Sequence, residues 1–242
     1  MQSSKIVNKH RQLLTFSSLF FLIISSQFLI AENKALVGGR LIDGYGHRPI
    51  ANSVILIKDN IIEQVGSVDS LKIPAGYEVI STEGMDVLPG LWESHAHLML
   101  NGHSDYVHWD KAYINRLSDE IMPASALQLL LAGITSARDL GAPLADSVSI
   151  KTRIAEGKIP GPRLYISGPF LQHKVYPGTE AFRWGIAGVK DAKAKVNKLA
   201  DAGVDIIKLI DQDKMTLAES RAIVEQAHKR NLKVVAHSHR PD

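Results

Sequence analysis

From residue 87 onward, the sequence alternates between short apolar runs and longer amphipathic stretches. Short apolar runs bounded by turn residues are typical of buried strands, and an apolar residue every three or four positions is typical of a helix. Strands that alternate with helices form a parallel sheet with right-handed connections. The pattern predicts an α/β fold with strands at 87–97, 134–140, 163–167, 204–210 and 232–237, and helices at about 118–132, 144–156, 189–202 and 216–230.

Several of these strands end in histidine, a residue type that commonly binds metals. His95 and His97 end the first strand, and His237 ends the fifth. Residues two apart on a strand share one face, so His95 and His97 are expected to aim two imidazoles at one point. Active sites of parallel α/β folds lie at the carboxyl ends of the strands, and neutral imidazole is a common ligand of zinc and related metals. The positions of these histidines therefore predict a metal site at the carboxyl ends of the strands.

Lys208 lies inside the aliphatic run 206–210 of the fourth strand. A charged lysine is costly to bury, and burial favours the neutral, nucleophilic amine. Near a metal such an amine can take up carbon dioxide and become a carbamate, whose two oxygens can bridge two ions. The alternative is a lysine at the end of the strand with its amine in solvent. The sequence leaves both interpretations open.

Two further charged residues, Arg138 and Asp139, end the second strand. We interpret Asp139 as a structural residue that pairs with Arg138. The chain has no cysteine, which excludes disulfides, thiolate nucleophiles and cysteine-ligated zinc.

Residues 1–31 have the pattern of an export signal. Lys5, Lys9 and Arg11 precede the uncharged segment 13–31 and account for the whole net charge of +3. A positive region followed by an apolar one predicts a secretory signal peptide, and hence a periplasmic or secreted protein. An uncleaved membrane anchor is the alternative. The remaining chain is electrically neutral, so no basic surface for nucleic acid is expected.

Residues 32–86 contain short β-rich runs separated by turn residues. The runs are 35–43, 53–58, 61–65 and 77–80. Strands this short, with turns this frequent, predict hairpins in a small β-sandwich.

Five motifs together resemble the metal-dependent amidohydrolase superfamily. Val87–His97 resembles the signature of that family's first strand. Residues 135–141 and 161–168 resemble its imidazolonepropionase-like and Xaa-Pro dipeptidase-like branch. Residues 205–209 resemble the lysine site of strand four, and residues 234–237 resemble the histidine site of strand five. The β-rich segment before them resembles the first part of the sandwich that flanks such barrels.

The resemblance implies a (β/α)8 TIM-type barrel with one or two divalent metal ions, usually zinc. His95 and His97 would bind the first metal, Lys208 as its carbamate would bridge, and His237 would bind the second. The implied activity is hydrolysis of C–N bonds in a small amide, cyclic amide or dipeptide, with activated water attacking the carbonyl. An Xaa-Pro-type dipeptidase suits an exported protein best.

The sequence departs from the family pattern at its end. The family also uses a histidine from strand six and, as ligand and general base, an aspartate from strand eight. The fifth predicted strand ends shortly before Asp242, so we expect residues 87–242 to form only about five strands of the barrel. A truncated, non-catalytic remnant with an incomplete metal site is therefore the alternative to an enzyme. An ordinary α/β protein with incidental histidines is a third interpretation.

Two loops are candidates for substrate contacts. His173 and Tyr176 lie in the loop expected after the third strand, and His103 lies in the one after the first. Each is equally compatible with an ordinary surface loop. The sequence leaves the substrate, the metal and the oligomeric state open.

Overall fold

The computed structural model describes residues 33–100, 105, 108 and 111–237. The leader at 1–31 and the loop residue His103 lie outside the described residues. The chain divides into two compact units between Leu88 and Pro89. None of the helices in the described part of the chain has the length and apolar character needed to span a membrane.

The first unit is built from short strands. Its main sheet has the order β4-β3-β1-β5, in which β3 is antiparallel to both neighbours and β1 is parallel to β5. A tight turn at Asp59 and Asn60, both with positive φ, joins β3 to β4 and suits a two-residue hairpin. A second sheet pairs β2 with β6 in parallel. The strands are β1 Lys34–Val37, β2 Arg40–Leu41, β3 Ser53–Lys58, β4 Ile61–Ser67, β5 Glu78–Ser81 and β6 Asp86–Val87.

The second unit alternates parallel strands with helices, as the sequence predicts. One sheet has the order β7-β8-β9 and another the order β11-β10-β12-β13, and all described pairings are parallel. The strands are β7 Leu91–Ala96, β8 Ile134–Asp139, β9 Arg163–Ile166, β10 Phe170–Gln172, β11 Arg183–Gly185, β12 Ile206–Leu209 and β13 Lys233–Ala236. The α-helices are α1 Met122–Leu131, α2 Leu144–Ala155, α3 Gly188–Asp201 and α4 Leu217–Lys229.

The two sheets of this unit follow one another without a break in the hydrogen bonding. β9 and β10 are successive parts of one segment, and β9 pairs with β8 while β10 pairs with β12. The backbone N–H of Asp205 donates to the carbonyl of Ile166 at 2.9 Å, which links the end of β9 to the start of β12. The strands therefore neighbour one another in the order β7, β8, β9 with β10, β12 and β13.

The predicted first strand, 87–97, is wrong in its extent and its burial. Val87 belongs to β6 of the first unit, and β7 begins only at Leu91 because Pro89, which lacks an N–H group, and Gly90 interrupt the run. Leu91 is 55% exposed and Trp92 is 53% exposed. Among the described residues β8 is the neighbour of β7, so β7 lies at an edge rather than inside the sheet.

Helix boundaries follow local signals. α4 begins after Thr216, whose hydroxyl accepts from the N–H of Glu219 while the Glu219 carboxylate accepts from the N–H of Thr216. This capping box contributes about 1 kcal/mol. α1 begins at Met122, later than predicted, with Pro123 in its first turn, where a missing N–H costs nothing. A single π-helical turn, Leu117–Ile121, precedes it.

Candidate metal centre

The fold brings together four of the residues that the sequence selects. The Nζ of Lys208 lies 3.5 Å from the Nε2 of His95. The ring of His95 has its centre 5.2 Å from that of His97 and 4.9 Å from that of His237. His95 lies on β7 and His237 directly follows β13, so these side chains come from the two ends of the row of strands. The row must therefore curl until its first and last strands face one another.

The spacing and chemistry of these side chains suit a divalent metal ion. Two imidazoles that share one tetrahedral zinc, each with a metal–nitrogen distance of about 2.1 Å, have ring centres about 5 Å apart. Three imidazoles and an amine are nitrogen donors of the kind that zinc and related metals bind. Within the described residues, no group of three or more His, Cys, Asp or Glu side chains could by itself hold a metal ion. Lys208 is the remaining donor, which makes its chemical state decisive.

Burial lowers the pKa of both histidines of the first strand. The pKa of His97 is lowered to about 4, mainly by burial and then by the neighbouring His95. The pKa of His95 is also lowered, first by burial and then by the positive charge of Lys208. A metal binds the unprotonated imidazole, so lowered pKa values leave these lone pairs available at neutral pH.

Lys208 lies in the middle of β12 and is only 1% exposed. The alternative of an amine in open solvent is therefore wrong. Burial, followed by the charge of Arg138, lowers the pKa of Lys208 to about 8. About one molecule in ten then carries the neutral amine at pH 7. Only that form can react with carbon dioxide, so the environment of Lys208 favours the chemistry that a carbamate requires.

The predicted pairing of Asp139 with Arg138 is wrong. Successive residues on a strand point to opposite faces. Arg138 donates from Nε to the carbonyl of Ser94 at 2.8 Å, whereas Asp139 is 1% exposed and accepts from the N–H of Leu98 at 3.1 Å. Burial raises the pKa of Asp139 to about 7, against the effect of the N–H groups of Leu98 and Gly141. Asp139 therefore anchors the chain directly after His97.

A family model matches the second unit over its whole length. The model described as the amidohydrolase family covers residues 87–242, more than half of the chain. The chain belongs to the amidohydrolase family. A comparison with curated protein sequences found no significant match.

Solved structures of amidohydrolases share this fold. A Bifidobacterium longum protein assigned as a prolidase is 28% identical, with a TM-score of 0.72, over 88% of this chain and 51% of that one. A. niger ochratoxinase is 27% identical, with a TM-score of 0.64, over 87% of this chain and 57% of its own. Molinate hydrolase is 20% identical, with a TM-score of 0.73, over 86% and 54%. The chain thus spans about half the length of these structures, and the similarity shows a TIM-barrel-like α/β fold.

Three of the four predicted site residues border a cavity of about 250 Å³. His97, Lys208 and His237 line it directly. Most of the other described lining residues are apolar, and none of the described lining residues is acidic. They are Met99, Leu100, Gly141, Phe170, Phe182, Arg183 and Ile210. Arg183, which begins the unpredicted strand β11, is not among the residues that the sequence selects; its position between Phe182 and Trp184 was the available signal.

His173 and Tyr176 lie elsewhere. They line a second cavity, of about 490 Å³, together with Asp211 and Lys214. The hydroxyl of Tyr176 donates to the Oδ2 of Asp211 at 3.4 Å. The structure therefore does not bring either residue into the cavity that contains Lys208, and their predicted contact with substrate stays a prediction.

Substituting Gly141 with alanine should disturb His97 and destabilise the protein. A Cβ atom there would lie 2.4 Å from Cδ1 of Phe170 and 3.1 Å from Nδ1 of His97. Overpacking of this kind costs about 1–3 kcal/mol. Urea unfolding of Gly141→Ala should show that loss. The control is Gly185→Ala, whose Cβ would meet its nearest atoms at 3.7 Å. Equal free energies of unfolding for the two variants would contradict the close approach.

Proposed function

We propose that the protein is a metal-dependent hydrolase of C–N bonds in small amides or peptides. The convergence of His95, His97, Lys208 and His237 at the carboxyl ends of the strands carries the proposal. Membership of the amidohydrolase family and the 28% identity to a protein assigned as a prolidase support it. The chain spans about half the length of those relatives.

Each residue has a distinct role in this proposal. His95 and His97 would hold the first metal ion, and His237 would hold the second. The Nζ of Lys208 would add to the carbon of carbon dioxide and lose a proton, which would give an anionic carbamate able to act as a further metal ligand. A divalent ion such as zinc supplies Lewis acidity, which makes water a nucleophile near neutral pH and polarises an amide carbonyl.

The substrate proposed here is a dipeptide of the Xaa-Pro type or a similar small amide. A cavity of about 250 Å³ with mostly apolar walls is suited to a small molecule. A periplasmic or secreted location, as residues 1–31 predict, would place the enzyme where short peptides enter the cell.

We propose that the described strands are part of a (β/α)8 barrel.

One observation favours a non-catalytic alternative. The implied mechanism needs a carboxylate as general base, and none of the described residues that line the cavity is acidic. A protein that binds metal without turning over amides would satisfy the geometry equally well.

The deciding experiment is a hydrolysis assay with controlled metal content. Protein stripped with a chelator, then reconstituted with zinc and bicarbonate, is incubated with Ala-Pro, Gly-Pro and Met-Pro, and released proline is measured. We expect hydrolysis only after reconstitution, and none with the His97→Ala variant. Bound zinc without any release of proline supports the non-catalytic alternative, and release of proline that survives the chelator contradicts both.

A further inference from the structure

His97 lies one residue beyond the backbone pairing that holds its strand. β7 ends at Ala96, which pairs with Asp139 of β8, and the carbonyl of Ala96 accepts from the N–H of Leu140 at 2.9 Å. Beyond that bond the side chain of Asp139 holds the chain, because its Oδ1 accepts from the N–H of Leu98 at 3.1 Å. The backbone on both sides of His97 is therefore attached to the end of β8.

The imidazole of His97 is held by the turn that follows β8. Nδ1 is the ring nitrogen that faces Gly141, since a Cβ atom at Gly141 would lie 3.1 Å from it. Burial is the main cause of the lowered pKa of His97, and a hydrogen bond with the backbone of Gly141 opposes that shift. A bond that raises the pKa of an imidazole is one that the ring donates, so the acceptor is the carbonyl of Gly141. The neutral ring therefore carries its proton on Nδ1 and leaves the lone pair of Nε2 for a metal.

Asp139 also holds the turn that supplies this carbonyl. The N–H of Gly141 donates to the carboxyl group of Asp139, as the N–H of Leu98 does. Asp139 is only 1% exposed, so little water competes for these two bonds. A carboxyl oxygen accepts from an N–H group whether or not the acid is ionised, so the arrangement does not depend on the charge of Asp139.

Phe170 closes the turn from the other side. A Cβ atom at Gly141 would lie 2.4 Å from Cδ1 of Phe170, and the ring of Phe170 stands edge to face with that of His97, with centres 6.3 Å apart. The imidazole is therefore confined between an aromatic ring and a backbone carbonyl. Asp139 fixes the second of these two contacts.

We propose that Asp139 is a positioning residue for metal binding, which acts through Leu98 and Gly141 to fix His97 in the tautomer that presents Nε2 to the metal. The inference rests on the proposed function, in which His97 is a metal ligand. It goes beyond that function because it gives a role to a residue outside the ligand set, one that does not line the central cavity. It also names the nitrogen of His97 that binds.

The tautomer of His97 is measured by nitrogen-15 NMR of the metal-free protein with labelled histidine. Protonated and unprotonated ring nitrogens resonate far apart, and at pH 7 the ring is neutral because the pKa of His97 is about 4. The spectrum of His97→Gln identifies the signals of His97 among those of the ten histidines. We expect a protonated Nδ1 and an unprotonated Nε2 in the wild type. A wild type with the proton on Nε2 would overturn the inference, whatever the variants show.

Asp139→Ala should change both the tautomer and the zinc affinity. Without the carboxyl group the carbonyl of Gly141 is no longer fixed, so His97 should show the mixture of tautomers of a solvated imidazole. Zinc affinity, titrated against a chromophoric chelator at pH 7, should fall roughly 10- to 100-fold, the usual effect of losing a residue that orients a metal-binding histidine.

Two further variants separate hydrogen bonding from packing. Asp139→Leu fills the space that alanine leaves and has no acceptor, so it should show the same two changes and carries the test if Asp139→Ala does not fold. Asp139→Asn keeps Oδ1 and replaces Oδ2, which is buried without a hydrogen-bond partner, so it should keep the tautomer and the zinc affinity of the wild type. Loss of the Nδ1–H tautomer in Asp139→Asn would contradict the role assigned to Oδ1.

Glu219→Ala is the matched control. Glu219 is also a buried carboxylate, 7% exposed, and it accepts from the N–H groups of Gly188 and Thr216, but it does not line the central cavity. Its loss should lower the free energy of unfolding and leave the His97 tautomer and the zinc affinity unchanged. If Asp139→Ala and Asp139→Leu also affect stability alone, Asp139 is only structural and the inference is wrong.

These outcomes are separate from those of the hydrolysis assay, because the tautomer is measured without metal. An Asp139-dependent tautomer in a protein that neither binds zinc nor releases proline would keep the positioning of His97 and reject the proposed enzyme. Zinc-dependent hydrolysis with a tautomer that is independent of Asp139 would keep the enzyme and reject the inference.

Discussion

Replacing Lys208 with methionine is expected to stabilise the metal-free protein at neutral pH. It is also expected to remove the rise in the free energy of unfolding at alkaline pH. Burial lowers the pKa of Lys208 from 10.5 to about 8. Between these two values the unfolded chain binds more protons than the folded one, so the free energy of unfolding of the wild type rises with pH. The rise attributable to Lys208 is about 3 kcal/mol. Below pH 8 the folded protein bears the full cost of burying the protonated amine.

Urea unfolding at pH 7 and at about pH 10 measures this effect. Lys208→Met should gain about 3 kcal/mol over the wild type at pH 7 and lose most of that advantage at the higher pH. Lys198→Met, which removes an exposed lysine, should show the wild-type dependence. Parallel pH curves for wild type and Lys208→Met would mean that the amine reaches solvent, and the case for a carbamate would then fail.

Replacing His97 with alanine is expected to abolish tight zinc binding. Loss of a residue that merely orients a ligand typically costs 10- to 100-fold in metal affinity, so loss of a ligand itself should cost at least about 100-fold. The lowered pKa of His97, about 4, means that protons do not compete with the metal near neutral pH. Titration against a chromophoric chelator at pH 7 measures the affinity.

The control for this experiment is His173→Ala. His173 lines the other cavity, so its removal should leave zinc affinity unchanged. Unchanged zinc affinity in His97→Ala would instead support an α/β protein whose histidines are incidental. A loss in both variants would indicate that zinc binds somewhere other than the described site.

Local patterns predicted the helices of the second unit well. α2, α3 and α4 begin and end within one or two residues of the predicted positions. Gly157 and Gly203, which follow α2 and α3 with positive φ, are ordinary helix ends, and Thr216 is an ordinary N-cap. Caps and apolar periodicity act within one or two turns of a helix, so they can be predicted from the local sequence.

Pairing between distant segments was harder to predict. β10 and β11 have three residues each, too few for a periodic pattern, and they become strands because they pair with each other and because β10 also pairs with β12. Their absence from the prediction also removed Arg183 from the candidate site. The guanidinium of Arg183 lies over the rings of Phe170 and Phe182 and donates to Gln172, contacts that no local pattern predicts.

The sequence by itself determined which side chains could bind a metal, since strand periodicity and residue chemistry single out His95, His97, Lys208 and His237. Tertiary structure alone decided that they meet. The 4.9 Å between the rings of His95 and His237 depends on how far the row of strands curls, and the burial of Lys208 depends on what packs around β12. Both the distance and the burial depend on many contacts between residues far apart in the chain, and no local sequence pattern specifies those contacts.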